Sequence, residues 1–169
     1  MNKFEKISLE EFLKSGASEE VYNKIKIPAR ATKGSMGYDF FAPSSISLVP
    51  GGSIVINTGI KCQLDEDKGL FLFPRSGLGF KHHMRLANTV GLIDADYYNN
   101  SGNEGHIKIK ICNDGDATIK IAQGEAFAQG VIMQWFTAEN TEEFKQERAG
   151  GFGSTSDNKK GLSKLSMNE

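Results

Sequence analysis

Residues 106–113 read His-Ile-Lys-Ile-Lys-Ile-Cys-Asn. In an extended chain Ile107, Ile109 and Ile111 share one face while Lys108 and Lys110 take the other, the period-two pattern of a half-buried strand. The same pattern continues outward. Thr118–Ile121 alternates likewise, and Ala126–Phe136 is a longer apolar strand. Upstream, Ile46–Val49, the turn Pro50-Gly51-Gly52 and Ser53–Ile56 read as strand–turn–strand. Lys61–Leu64, Gly69–Phe73 and Met84–Asn88 are further short strands. Many short strands at close spacing predict an all-β protein, a jelly-roll-like β-barrel.

Composition agrees and narrows the function. The chain has 169 residues, enough for one domain. Its 20 basic and 21 acidic residues give a net charge of −1, which argues against a dedicated polynucleotide binder. Glycine is abundant, 19 residues against 4 prolines, as expected where turns are tight or backbone approaches a ligand. No apolar run nears the ~18 residues that span a bilayer. The opening MNKFEKISLEEF interleaves charges with apolar residues, so a cytoplasmic protein without a secretory leader is expected. Cys62 and Cys112 sit in apolar strands and read as buried free thiols. His82, His83 and His106 lack ligand spacing with them, so surface or strand-edge histidines, and no protein metal site, are expected.

The first 26 residues read as a helical extension. Ser8 with Glu11 forms a capping-box pattern, Ile7 and Phe12 hold the staple positions, and Gly16 is a C-terminal stop. A helix over 9–15 follows, then a helical turn over 18–24, docked on the chain's own body or on a protein partner. Residues 27–139 make the barrel, and 140–169 a flexible arm with an ordered island at 148–156.

Four glycine-rich islands lie between the strands, and none has the form of a helical nucleotide motif. Gly37–Ala42 carries Asp39, a turn or cap residue on its own showing. In Pro74–Gly79 the proline ends a strand, Arg75 offers a fork of donors, Ser76 a hydroxyl and Gly77 a bare backbone, a combination suited to phosphate. In Asn88–Tyr97 a hairpin would present backbone donors and acceptors at Gly91–Ile93, with Asp94 at its mouth. Asp94 and Asp96 would share one strand face, Asp96 reading as a surface charge. The fourth island, Arg148–Ser156, places Phe152 between glycines in a polar arm, without a local core to join. Its ring is expected to meet a ligand or a second subunit.

In order and spacing, GYDFFA, PRSGLG, NTVGLIDADY, GEAFAQG and RAGGFGSTS resemble the five motifs of the trimeric deoxyuridine triphosphatase (dUTPase) family, over about Ile27 to Ser156. That resemblance implies a homotrimer of jelly-roll barrels whose active sites are shared among the chains. It implies hydrolysis of dUTP to dUMP and pyrophosphate with magnesium, which supplies dUMP for thymidylate synthesis and keeps uracil out of DNA. One subunit would hold the triphosphate with Arg75, Ser76, Gly77 and Gln129. A second would read uracil with Asn88, Gly91, Leu92, Ile93 and the backbone near Lys108. There Asp94 would orient and deprotonate the attacking water, with Tyr97 under the sugar. A third would close its arm, with Arg148, Gly153 and Ser154 on phosphate and Phe152 over the base. Asp39 would support the metal–phosphate end, and Mg2+ would be carried mainly by phosphates and water. Two other readings share the pocket: a dCTP deaminase of related fold, and a nucleotide-sensing module whose partner meets residues 1–26.

Overall fold

The computed structural model describes residues 1–139; the arm from 140, with Arg148, Phe152, Gly153 and Ser154, lies outside the described residues. The alternating stretch forms β9 (Lys108–Asn113), with Ile107, Ile109 and Ile111 buried and Lys110 exposed. β9 is the middle of a three-stranded antiparallel sheet between β4 (Ser53–Asn57) and β7 (Met84–Leu86). A second antiparallel sheet has the order β2 (Tyr38–Phe41), β11 (Ala126–Gln134), β6 (Lys68–Pro74) and β8 (Gly91–Ile93). Two pairs complete the jelly-roll-like body: β1 (Lys3–Lys6) with β5 (Ile60–Gln63), and β3 (Ile46–Leu48) with β10 (Ile119–Ile121). One core fills the space between them, built from Phe40, Leu70, Leu86, Ile111, Ile119, Ile121 and Phe127 among others. Each fully buried aliphatic side chain contributes about 1.5–3 kcal/mol relative to exposure. No helix among the described residues is long and apolar enough to cross a membrane.

Local patterns and pairing partners part company at two places. β3 and β4 lie in different sheets, so Pro50-Gly51-Gly52 turns a corner between layers, and the Gly51 N–H donates to the Asn113 carbonyl (2.8 Å). Burial of Ile46 and Leu48 beside Ile119 and Ile121 decides that pairing, and the turn follows. The segment after Pro74 is a helix, α3 (Ser76–His82), where the glycines had suggested a loop. Gly77 and Gly79 depress helix propensity by about 1 kcal/mol each, which hides it from a sequence reading.

The first 26 residues contribute more than helices. Strand β1 pairs along β5, and Ile7, Phe12 of α1 (Leu9–Leu13) and Ile25, just past α2 (Glu19–Asn23), enter the common core. Ser8 Oγ accepts from the Glu11 N–H (3.1 Å), the forward half of the capping box. The return half is absent, because the Glu11 carboxylate pairs with Lys14 (2.8 Å). The Ser8 N–H instead donates to Glu104 Oε2 (2.9 Å), across ninety-six residues of sequence. Gly59, at φ +70°, lets this segment come close: a Cβ there would lie 2.3 Å from Ile25 Cδ1.

Cys62 is buried, and burial pushes its thiol up to about 12; Cys112, on the outer face of β9, is only half-buried. His82 and His83 are exposed, whereas His106 is in the interior, contrary to the strand-edge expectation. It precedes β9, and its Nε2 accepts from the Gly59 N–H (2.9 Å), a bond that requires a neutral ring. Burial, with Lys108 nearby, lowers its pKa from the ordinary 6.5 to about 4. The unfolded chain therefore binds the extra proton first. His106 stabilises fully above pH 6.5, and this contribution is lost as pH falls toward 4. The loss is on the order of 3 kcal/mol. Carboxylates held low, such as Glu5 and Glu104, are lost only under about pH 5. Urea unfolding across this range tests the assignment: wild type loses stability between pH 6.5 and 5, while His106→Gln, which keeps an acceptor for Gly59, is flat there. Equal slopes for the two proteins would refute it.

Candidate active site

Register across the second sheet assembles a cleft. Gln129 on β11 lies opposite Asp39 on β2 and opposite Phe73 on β6. Directly opposed residues share a face of the sheet; Val131, two residues along β11, joins it, and Arg75 follows the end of β6. A bulge at Ala126–Ala128 shifts the β2–β11 register, and Gln129 is paired with Asp39 just beyond it. The resulting cleft, about 490 Å³, is lined by Asp39, Arg75, Ser76 and Gln129 together with Ser35 and Met36.

Asp39, Arg75 and Gln129 are each held in place. Arg75 Nε pairs with Asp39 Oδ1 (3.2 Å), and an Nη of the same guanidinium donates to the Ala126 carbonyl (3.5 Å). A guanidinium carries five donors, so this anchoring leaves capacity for an anion. Gln129 Nε2 donates to the Pro74 carbonyl (3.1 Å), which fixes its amide beside the start of α3. Arg75 is the N-cap of α3 without a side-chain cap bond, and the N–H groups of Ser76 and Gly77 fall in the first turn, where a helix has no internal acceptors. Gly37 packs directly on this amide: a Cβ there would stand 2.7 Å from Gln129 Oε1, so a side chain at 37 would push the amide aside.

The remaining candidates gather elsewhere. Residues 88–97 are not a hairpin: β7 pairs with β9, β8 pairs with β6, and the chain turns a corner between the sheets with Thr89 at φ 66°. The strand pattern alone could not reveal that its two arms belong to different layers. Asn88 is exposed on this corner, and the Ala87 N–H donates to the Lys110 carbonyl (2.9 Å), which brings half-buried Lys108 alongside it. On β8 Gly91 is buried, Leu92 is 60% exposed and Ile93 half-buried. Asp94 and Asp96 do not share a strand face. Asp94 caps a 3-10 turn, Ala95–Tyr97, that contains Asp96, and both carboxylates are exposed. Tyr97 is buried, its hydroxyl donating to the His106 carbonyl (3.0 Å).

The two groups are held apart by β6. Ile93 pairs with Leu70, so Asp94 stands level with Gly69, six steps along β6 from Arg75. At ~3.3 Å per residue that is roughly 20 Å. Sequence reasoning missed Ser35 and Met36, which reach the cleft because Ala29 bridges to Asp39 and folds the 30–36 loop over it. Their position just before the Gly37–Ala42 island was the available signal. It also missed Asn100 and Asn103, which surround Tyr97.

The fold and cleft define a jelly-roll protein with an arginine–amide site suited to an anion. The dUTPase family profile matches residues 23–156, and the chain belongs to the dUTPase family. A deoxyuridine 5'-triphosphate nucleotidohydrolase of Lactococcus lactis subsp. lactis is 42% identical over 132 residues, 78% of this chain and 88% of the relative. One from Polynucleobacter necessarius subsp. necessarius is 37% identical, covering 77% and 88%. The crystal structure of a Streptococcus mutans dUTPase is similar at TM-score 0.67 and 33% identity, over 82% of this chain and 99% of that one. A dUTPase of Staphylococcus aureus phage phi11, described with a coordinated structural Mg(II) ion, shares the fold at TM-score 0.63 and 22% identity, over 86% and 97%.

The Gly37 contact makes a checkable statement about the cleft. In Gly37→Ala the methyl displaces the Gln129 amide from the Pro74 carbonyl. Calorimetric titration with inorganic pyrophosphate should show severalfold weaker binding, with Tm lowered by less than about 3 °C. Unchanged pyrophosphate affinity would remove Gln129 from the anion site.

Proposed function

We propose that this protein hydrolyses dUTP to dUMP and pyrophosphate in a site shared between copies of the chain, and so supplies dUMP for thymidylate synthesis while keeping uracil out of DNA. The observation that carries the reading is the convergence of Asp39, Arg75, Ser76 and Gln129, from three separated motifs, in one cleft. Arg75, Ser76, Gly77 and Gln129 hold the triphosphate there. Asp94 of a neighbouring copy accepts a proton from water as its oxygen attacks the α-phosphorus, and pyrophosphate leaves in line. The corner at Asn88 and the edge strand β8, Gly91–Ile93, beside Lys108, read uracil, and Tyr97 forms the floor under the deoxyribose. A fixed main chain matches uracil's acceptor–donor–acceptor edge and cannot rearrange for cytosine; polar mismatch of this kind discriminates by ~10⁴–10⁵-fold.

Completing a site from Arg75 of one copy and Asp94 of another requires an oligomer, and a cyclic trimer gives three equivalent junctions. The arm, with Arg148, Phe152, Gly153 and Ser154, closes the site over phosphate and base. Asp96 supports the Asp94 turn. Among the described residues no cluster of three or more metal-ligating side chains occurs, and Asp39, the cleft's carboxylate, is paired with Arg75. That donor set fits Mg2+ held mainly by phosphate oxygens and water, with Asp39 supporting that end. When bound, magnesium neutralises phosphate charge.

Incubation with Mg2+ and, separately, dUTP, dTTP, dCTP and UTP should release pyrophosphate efficiently from dUTP alone. Equal release from all four, or from none, overturns the assignment, and ammonia from dCTP would point to a deaminase. Asp94→Asn should lower kcat by about 10²–10⁴-fold while dUTP still binds. Mixed trimers of Arg75→Ala and Asp94→Asn chains, each inactive alone, should recover about one quarter of the wild-type rate if mixing is random. An inactive mixture would refute the shared site.

A further inference from the structure

Tyr97 is fixed at several points. Its hydroxyl donates to the His106 carbonyl (3.0 Å) and accepts from Asn103 Nδ2 (2.8 Å), and its carbonyl accepts from Asn100 Nδ2 (2.8 Å). Asn100 and Asn103 also shape the loop after Tyr98. Asn100 Oδ1 accepts from the N–H groups of Gly102 and Asn103, and Asn103 Oδ1 accepts from Asn100 Nδ2 and the Gly105 N–H. This loop has an uncommon backbone, with Asn99 at φ 54° and Glu104 at φ 56°. Asparagine tolerates that region; a glutamate in it costs about 1–2 kcal/mol, so something must hold it.

The N-terminal segment does so. Glu104 accepts from the Ser8 N–H (2.9 Å) and from Ser8 Oγ (2.5 Å), with Lys61 Nζ at 3.6 Å. Lys61 Nζ also donates to Asn99 Oδ1 (2.7 Å), and the Tyr98 hydroxyl donates to Glu5. Burial opposes the Glu104 charge, but the Ser8 donors and Lys61 outweigh it and hold the carboxyl below its ordinary value. The Glu104 N–H donates to the Asn100 carbonyl (3.0 Å), so hydrogen bonds run from Ser8 through Glu104 and Asn100 to Tyr97.

A steric wall excludes only as firmly as it is held. A ring that pivots by an ångström makes room for an oxygen atom. We propose that Asn103, seated by Asn100 and by the Ser8–Glu104 clasp, is a positioning residue that stiffens Tyr97 against a ribose 2′-hydroxyl, so that residues 98–105 and the N-terminal segment set the sugar specificity of the site. The inference rests on Tyr97 lying under the sugar, as proposed above.

The test compares kcat/KM for dUTP and UTP in the full-length protein. Asn103→Ala should lower the dUTP:UTP ratio about tenfold, mainly through a lower KM for UTP, the effect expected for one lost half-buried hydrogen bond. In a Tyr97→Phe background, which already lacks the hydroxyl, Asn103→Ala should lower the ratio no further. A ratio unchanged in Asn103→Ala, or an equally large fall in the Tyr97→Phe background, overturns the proposal; the second result would mean general loosening of the loop. Ser8→Ala, a milder change that keeps the fold should Asn103→Ala not, is expected to lower the ratio about threefold, and an unchanged ratio there counts against the clasp. Tyr97→Ala separates the two layers of the argument. A wild-type ratio in that variant removes Tyr97 from the sugar and the inference with it. Collapse of the ratio in Tyr97→Ala with none in Asn103→Ala overturns the inference alone.

Discussion

A paired β-strand cannot be shortened. β6 is seven residues long and hydrogen-bonded on both sides, to β11 and to β8, so its ends are fixed rigidly apart. Arg75 follows one end and Asp94 is level with the other. No side-chain rotation closes a gap of roughly 20 Å between them. The division of labour in the proposed site follows from this: phosphate handling belongs to the cleft where β2, β11 and β6 run side by side, and water activation belongs to the far end of β8.

The same sheet explains why the cleft is well built. Asp39, Gln129 and Phe73 are brought abreast by ladder register, and each polar group then has a fixed neighbour. Asp39 holds Arg75, the Ala126 carbonyl steadies its fork, and the Pro74 carbonyl holds Gln129. Preorganised donors of this kind are worth more than mobile ones, because no reorganisation is needed when the phosphate charge arrives.

Much of this was legible in the chain. Alternation at Ile107, Ile109 and Ile111 gave the strand and its buried face, because the period of two leaves no other register. The glycine-rich islands singled out Asp39, Arg75 and Ser76, the family resemblance added Gln129, and these four line one cleft. What stayed hidden is what depends on partners distant in sequence. Which sheet β3 and β4 join, that β1 exists at all, and that residues 88–97 turn between layers are set by pairing, for which short apolar runs carry no address. α3 was masked by its glycines, whose cost is borne by tertiary contacts. His106 looked like a polar strand terminus, yet a neighbouring N–H from Gly59 makes the interior acceptable to it.

The exchange at Ser8 also bears on the order of assembly. α1 emerges from the ribosome well before its partners: the carboxylate that completes its N-terminus belongs to Glu104, and the strand beside it waits for β5. A helix of five residues is far too short to persist by itself in water. During synthesis this segment must therefore stay open until Glu104 has been made, a delay that ties its docking to the arrival of the loop beside Tyr97.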